Sequence, residues 1–265
     1  MPTAEKDIRA LLNRPTTAAE IQSLEQAVQF LDEKGINQQM LTSIEKIDGK
    51  DTFVYQFDNN EVASCISYEA LKNGDTLFNI TEGNKHDTLL MKNNGEIFLN
   101  GNLVTFTEEV VETASPESAI SEIPGNPIAP CDGSSYNTTN CPYGSPSDYS
   151  KLGNTQYTSN VIFGNLIKNL TQASISLVLG KYLSDFNDIL SYLSSIVSAL
   201  GNDDPTSDAA SFVRYYYTHA TKGYYVSNSG GMYLGVYKVV FSCYSKPNYV
   251  GYLRSGIVYQ CKTLY

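Results

Sequence analysis

Apolar positions near the start of the chain recur at helical spacing, which predicts an amphipathic helix. Thr17 and Glu20 stand before them in a capping-box pattern, in which each side chain bonds a backbone N–H at the helix start. We expect helical structure over residues 4–34, broken at Pro15, and a shorter helix over residues 40–47. The positions that recur are Ile21, Leu24, Val28 and Leu31.

Between residues 52 and 111 the pattern changes to short alternating runs, which predict strands. Turn signals separate the runs, and pairs such as Asn94-Gly95 and Asn100-Gly101 suit tight hairpins. Residues 1–111 are therefore predicted to form an acidic α+β domain like a pro-region, with helices packed on an antiparallel meander. The expected strands are 53–57, 62–68, 76–80, 88–91, 96–99 and 103–107.

Residues 160–265 are predicted to form a second domain. Residues 161–179 and 179–200 are two apolar helical stretches, and we expect a helical hairpin that supplies a core. A sharper hypothesis is that these helices insert into a bilayer. The fold class is thus predicted as α+β in two domains, the second pairing the hairpin with a disulfide-stapled, antiparallel, tyrosine-rich sheet. Its expected strands are 212–219, 223–227, 232–244 and 250–261.

A stretch rich in Pro, Gly and Ser at residues 112–159 is predicted to link the two domains. Such a composition favours extended chain that proteases reach. If the chain is processed, we expect the cut between about residues 113 and 130. The candidate processing region is marked by Pro124, Pro127 and Pro130.

Charge and tyrosine content divide the chain at about residue 130. Residues 1–130 carry 9 Lys and Arg against 21 Asp and Glu, whereas residues 131–265 carry 9 against 7, which together gives the net charge of −10. Only Tyr55 and Tyr68 precede the division, so 18 of the 20 tyrosines follow it. This asymmetry predicts an acidic half that covers or escorts a mildly basic half.

The cysteines predict disulfide bonds in an oxidising compartment. Four of the five, Cys131, Cys141, Cys243 and Cys261, lie in the second half, and three pairings are possible. We favour Cys131–Cys141 and Cys243–Cys261, because each closes a short loop or joins neighbouring strands. Their spacings lack the tight pair typical of zinc knuckles, so we expect no metal and no other cofactor.

Enzyme chemistry is weakly supported by the residues. A thiolate at Cys131 or Cys141, activated by His219, is a legitimate nucleophile–base pair, and it defines the hypothesis of a cysteine hydrolase matured by cleavage before Cys131. No recognised signature surrounds either cysteine. We therefore expect no catalytic residues.

A binding surface is the stronger expectation. After Asp208 the chain has no acidic residue, and tyrosine has an apolar body with a polar tip that suits interfaces. We expect an anionic membrane or cell envelope as partner, together with a processing protease, and no nucleic acid. The predicted contact residues are Tyr215, Tyr217, Tyr225, Tyr237, Tyr252, Lys238, Lys246 and Arg254.

The layout resembles secreted precursor proteins of Gram-positive bacteria, of the bacteriocin-like or toxin-like kind. It has an acidic first half, a proline-rich junction at residues 123–130 and a Cys- and Tyr-rich second half. The resemblance implies a secreted proprotein whose released second half acts non-enzymatically on membranes or cell surfaces. The chain starts without an apolar leader, which fits either an intracellular protein or a secreted one whose signal peptide has been removed. The four cysteines and the low-charge second half, rich in Ser, Thr and Asn, favour the secreted protein. The alternative hypothesis is a structural module that binds a glycan or a protein at the cell surface.

Overall fold

The computed structural model describes residues 7–57, 61–111, 136–138, 147, 149–151, 156–183, 193–203, 206–219, 224–226 and 233–264. Three α-helices lie among them: α1 (Ala18–Glu33), α2 (Gln172–Leu183) and α3 (Leu193–Asp203). The strands are β1 (Leu41–Ile47), β2 (Lys50–Tyr55), β3 (Ser64–Ala70), β4 (Thr76–Glu82), β5 (Lys85–Met91), β6 (Ile97–Leu99), β7 (Asn102–Val111), β8 (Tyr136–Thr138), β9 (Tyr149–Lys151), β10 (Gln156–Ile162), β11 (Ala209–His219), β12 (Tyr224–Val226), β13 (Tyr233–Tyr244) and β14 (Tyr252–Leu264). Short 3₁₀ turns lie at Ile8–Leu11, Gln38–Met40, Ile167–Asn169 and Pro247–Tyr249.

The predicted fold class of two α+β domains is wrong. Most of the described chain forms one large antiparallel sheet with few helices, in the order β1-β2-β3-β4-β5-β6-β7-β10-β11-β13-β14-β8. In addition, β12 pairs with β13 and β9 pairs with β11. The meander does not end at β7, because the next strand in the order is β10, which follows the predicted linker in sequence. Alternation along each strand does not reveal which distant strand it pairs with.

The chain folds into two compact units that are interleaved in sequence. The first unit contains Met1–Phe106, Val161–Asp185 and Tyr192–Ala210, and the second contains Thr107–Asn160, Phe186–Ser191 and Ser211–Tyr265. The predicted domains 1–111 and 160–265 therefore each contribute residues to both units.

Helix α1 begins with the predicted N-terminal cap at Thr17. The Thr17 hydroxyl accepts the backbone N–H of Glu20, whereas the Glu20 carboxylate pairs with Arg14 instead of closing the capping box. Gly35, with φ +97°, supplies the expected left-handed stop after α1. The short helix predicted over residues 40–47 is wrong, because that segment is β1. A turn with positive φ at Asp48 and Gly49 connects it to β2.

The predicted meander of residues 52–111 is confirmed as β2 to β7, each strand antiparallel to the next. Alternate positions along it are buried, as in the two-residue period of a strand with one covered face. Phe30 of α1 stacks on this layer, with its ring centroid 5.0 Å from Tyr68 and 6.2 Å from Phe78.

Buried carboxylates of the meander hold the N-terminus of α2 within the first unit. The Asp87 side chain is fully buried and accepts the backbone N–H of Thr171 at 2.7 Å and the Ser174 hydroxyl at 2.8 Å. The Glu82 carboxylate accepts the backbone N–H of Gln172 at 3.0 Å and the Ser64 hydroxyl. Carboxylates bind well here because the first N–H groups of a helix have no partner within it.

Helix α2 is buried along most of its length and crosses the end of α1 closely. Residues 173–179 are all buried, so the helix lacks the polar face of a surface helix. A Cβ added at Gly180 would overlap the Lys34 carbonyl oxygen and lie 2.7 Å from the Gly35 Cα. The first predicted helical stretch, residues 161–179, is only partly right, because residues 156–162 form β10 and α2 begins at Gln172.

The predicted disulfide Cys243–Cys261 is wrong. In the β13–β14 ladder Cys243 lies opposite Arg254 and Cys261 lies opposite Val236. The two cysteines are thus seven positions apart along the ladder, or roughly 23 Å, whereas a disulfide requires Cα atoms within about 7 Å. Cys243 is a free, buried thiol, and Cys131 and Cys141 lie outside the described residues.

Candidate functional site at the β13–β14 turn

A short turn within the second unit joins the two longest described strands of the tyrosine-rich region. Strand β13 ends at Tyr244 and β14 begins at Tyr252. The Ser245 N–H donates to the Gly251 carbonyl at 2.8 Å, and the Lys246 N–H donates to the Val250 carbonyl at 3.2 Å. These bonds close the loop formed by residues 246–250.

The loop backbone is held in an uncommon conformation. Asn248 and Tyr249 have φ values of +59° and +62°, in the left-handed region that costs a non-glycine residue about 1–2 kcal/mol. The fully buried Ser211 hydroxyl accepts the Tyr249 N–H at 3.1 Å and donates to the Lys246 carbonyl at 2.6 Å. Asn160 accepts the Asn248 N–H at 3.4 Å. Such strain persists only where surrounding contacts fix the backbone, and it is often found at functional sites.

The turn gathers three tyrosine rings at the protein surface. The Tyr244 ring lies 6.0 Å from that of Tyr249 and 5.9 Å from that of Tyr252, edge to face in both pairs. Tyr252 is 61% exposed and Val250 is 55% exposed. We call Tyr244, Tyr249, Val250 and Tyr252 the tyrosine tip.

Hydroxyl contacts orient the exposed ring of Tyr252. Its hydroxyl donates to the Ser255 Oγ at 3.0 Å, and that oxygen lies 2.7 Å from the Ser242 Oγ. The chain of three hydroxyls lies on the exposed surface beside the tyrosine tip. The ring is therefore fixed at its polar end while much of its area stays accessible.

The predicted contact residues lie at different places in the structure and differ in exposure. Tyr252, Lys246 and Arg254 lie at or beside the β13–β14 turn, where Arg254 is exposed and Lys246 is half-buried. By contrast, Lys238 is buried, with its ammonium 5.6 Å from the centre of the Tyr149 ring. The backbones of the remaining predicted tyrosines lie in strands: Tyr215 and Tyr217 in β11, Tyr225 in β12 and Tyr237 in β13. The predicted processing residues Pro124, Pro127 and Pro130 lie outside the described residues.

Sequence reasoning did not select Tyr244, Tyr249 or Val250 for the site. The turn signal Lys246-Pro247-Asn248 was present between two predicted strands. A hairpin turn brings the residues on either side of it together, so Tyr244 and Tyr252 could have been paired from this signal. The anchoring role of Ser211 had no such signal, because Ser211 is distant from the turn in sequence.

Arg214, a second cation of the basic C-terminal stretch, is also buried. The Arg214 side chain is only 1% exposed and its guanidinium lies 2.7 Å from the Glu108 carboxylate. The guanidinium also lies 5.4 Å from the centre of the Tyr157 ring. This cluster joins β7, β10 and β11 within the second unit, and its role is structural.

The described thiols are poorly suited to nucleophilic chemistry. Burial raises the pKa of the Cys243 thiol well above its usual range, and burial is also the main cause of the raised pKa of Cys65. The thiolate is the reactive form, so both side chains stay protonated at neutral pH. His219 lies at the end of β11 with its backbone opposite Tyr149. No group of three or more His, Cys, Asp or Glu in the described part of the chain is arranged to hold a metal ion.

Thiol labelling checks the placement of these cysteines. In the native protein at mildly alkaline pH, we expect iodoacetamide to leave Cys243 unmodified and to modify half-buried Cys65 slowly. Both should react fully in denaturant, and peptide mapping by mass spectrometry distinguishes the two sites. Labelling of native Cys243 before Cys65 would contradict the buried position of Cys243.

Comparisons of the chain with protein-family models, with curated proteins and with solved structures gave no match. Within the described residues, no helix has the length and apolar character needed to span a bilayer.

Proposed function

We propose that the protein acts non-enzymatically at an anionic membrane surface, which it contacts through the tyrosine tip. The supporting observation is the tyrosine tip, in which Val250 and Tyr252 are exposed and Tyr244 and Tyr249 are half-buried, on a loop that Ser211 holds fixed. Tyrosine favours the boundary between water and lipid, where its ring and its hydroxyl each find a suitable medium. A loop that is already ordered loses little conformational entropy when it binds.

The charge around the tip favours an anionic partner. Lys246 lies between Tyr244 and Tyr249 in the turn, Arg254 lies two residues after Tyr252, and the sequence has no acidic residue after Asp208. A basic side chain close to an anionic bilayer contributes about 1 kcal/mol of attraction. Arg214 and Lys238 are buried, so among the cations after Asp208 whose side chains the structure describes, Lys246 and Arg254 are the ones that water reaches.

Secretion and an antimicrobial or toxin-like action belong to the same proposal. They are supported by the layout of the sequence, with its acidic first half and its tyrosine-rich second half. Contact through the tip requires no enzymatic step and no cofactor.

Vesicle binding by the full chain tests this proposal. Tyr252→Ser should reduce binding to vesicles of phosphatidylglycerol and phosphatidylcholine several-fold, because it removes the most exposed ring of the tip. The double variant Lys246→Gln/Arg254→Gln should also weaken vesicle binding, by roughly fivefold for each residue if each contributes about 1 kcal/mol. Its binding should also depend less on salt concentration. Co-sedimentation with the vesicles measures both effects.

Ile47→Ser is the matched control, since Ile47 is 44% exposed at the β1–β2 turn of the first unit. It removes an apolar side chain of similar exposure far from the tip in sequence, and we expect unchanged vesicle binding. Equal loss from Tyr252→Ser and Ile47→Ser would show that the tip is not the contact surface. Binding to cell-wall polysaccharide, without any preference for anionic vesicles, would instead favour a glycan-binding module.

A further inference from the structure

Both compact units are built from residues on either side of the predicted processing region. Residues before it contribute Met1–Phe106 to the first unit, and residues after it contribute Val161–Asp185 and Tyr192–Ala210. In the second unit, Glu108 and Glu109 precede the region, and Thr158 and Arg214 follow it. A cut between residues 112 and 130 therefore does not separate one unit from the other along the chain.

In the first unit, polar contacts of buried groups join residues that precede the processing region to residues that follow it. Asp87 and Glu82 from the meander bind the N-terminus of α2, as described above. The Lys85 ammonium also donates to the Leu170 carbonyl at 2.9 Å. Separation of these segments would leave two buried carboxylates without the N–H and hydroxyl groups that they bind, which is costly.

Close packing joins the same segments. The Ser176 hydroxyl donates to the Gly35 carbonyl at 2.7 Å, one turn before the Gly180 contact with the end of α1. The Tyr182 hydroxyl donates to the Val104 carbonyl at 3.0 Å, and its ring stacks 5.1 Å from that of Phe106. Residues 173–179, buried among these neighbours, would be exposed to water if the segments came apart.

In the second unit, similar contacts join residues that precede the processing region to residues that follow it. Buried Arg214 pairs with Glu108 at 2.7 Å, and the Thr158 hydroxyl donates to the Glu109 carbonyl at 3.2 Å. Loss of Glu108 would leave a guanidinium buried without its carboxylate.

We infer that proteolysis between residues 112 and 130 produces a two-chain protein that stays assembled, with the N-terminal chain as a structural part of both units. The cut adds one water across one peptide bond, giving a new carboxylate and a new amine, and it breaks none of the contacts named above. The acidic half is then a permanent component instead of a removable cover. This inference is independent of the membrane proposal, since it concerns assembly and not binding.

An engineered cut tests the inference. A recognition sequence for a specific protease replaces residues 116–122, and the uncut protein is first confirmed to be folded by circular dichroism. After complete cleavage, size-exclusion chromatography and native mass spectrometry should find both chains in one species, with the mass of the intact protein plus one water. A reductant is present throughout, so that no disulfide can hold the chains together. Elution of two separate chains from native buffer would overturn the inference.

Two glycine variants of the cut protein test whether the contact between α2 and the end of α1 helps to hold the two chains together. Gly180→Ala introduces a Cβ against the backbone of Lys34 and Gly35, whereas Gly201→Ala introduces one at ordinary contact distance, 3.5 Å, from the Gln172 side chain. We expect Gly180→Ala to lower the urea concentration at which the two chains separate, and Gly201→Ala to leave it unchanged or raise it. Equal urea midpoints for the two variants would show that the close approach of Gly180 to Lys34 and Gly35 does not help to hold the two chains together.

Discussion

Gly180→Ala is expected to lower the free energy of unfolding of the intact protein by about 3 kcal/mol, towards the upper end of the usual cost of overpacking. The added Cβ would meet backbone atoms of Lys34 and Gly35, which cannot rotate away as a flexible side chain can. Alanine is a better helix former than glycine by about 1 kcal/mol, so the expected loss is net of a favourable local effect. Urea denaturation followed by circular dichroism measures the change.

Gly201→Ala is the matched control for this substitution. Gly201 also lies in a helix, α3, but a Cβ there would be in ordinary contact with the Gln172 side chain. We expect its free energy of unfolding to stay the same or to rise by up to about 1 kcal/mol. A similar loss in both variants would mean that the close approach of α2 to the end of α1 does not limit the size of residue 180.

Glu108→Ala should lower the free energy of unfolding by about 2 kcal/mol. The substitution leaves the buried Arg214 guanidinium without its carboxylate, and removal of one partner of a fully buried pair costs about 3–5 kcal/mol. We expect a smaller loss because the Glu108 side chain is 31% exposed, so water can reach the freed guanidinium. The nearby Tyr157 ring also continues to face the cation.

Glu109→Ala is the control for this prediction. Glu109 is the next residue of β7 and is exposed, and its backbone carbonyl, which the substitution preserves, is the group that accepts the Thr158 hydroxyl. The expected change in its free energy of unfolding is within about 0.5 kcal/mol. If both variants lost the same stability, the effect would be due to the loss of negative charge from β7 and not to the pair with Arg214.

The elements of the chain were predicted more successfully than their arrangement. Thr17 caps α1, Gly35 ends it, and the strands from β2 to β7 and from β11 to β14 fall close to the predicted runs. The helix predicted over residues 40–47 is wrong although the Asp48-Gly49 pair that follows this segment strongly favours a hairpin. Each of these features depends on residues a few positions apart, so the sequence contains the necessary information.

The predicted contact residues do not lie in one place. Tyr252, Lys246 and Arg254 lie at or beside the β13–β14 turn, whereas Lys238 is buried beside Tyr149. The same sequence pattern of tyrosines and cations describes both positions, because burial of a strand face depends on what packs against it. The disulfide Cys243–Cys261 failed for a related reason, since neighbouring strands bring two cysteines together only at one register.

The residues alone were enough to predict the helix cap, the positions of most strands, the turn signals and the division between an acidic half and a tyrosine-rich half. The folded chain was needed to show that β7 is followed in the sheet by β10, that α2 packs with the N-terminal residues, and that Arg214 is buried against Glu108. Caps, turns and alternation follow from interactions among neighbours along the chain. Pairing and burial depend on segments separated by a hundred residues or more, such as Glu108 and Arg214, and those segments meet only in the folded chain.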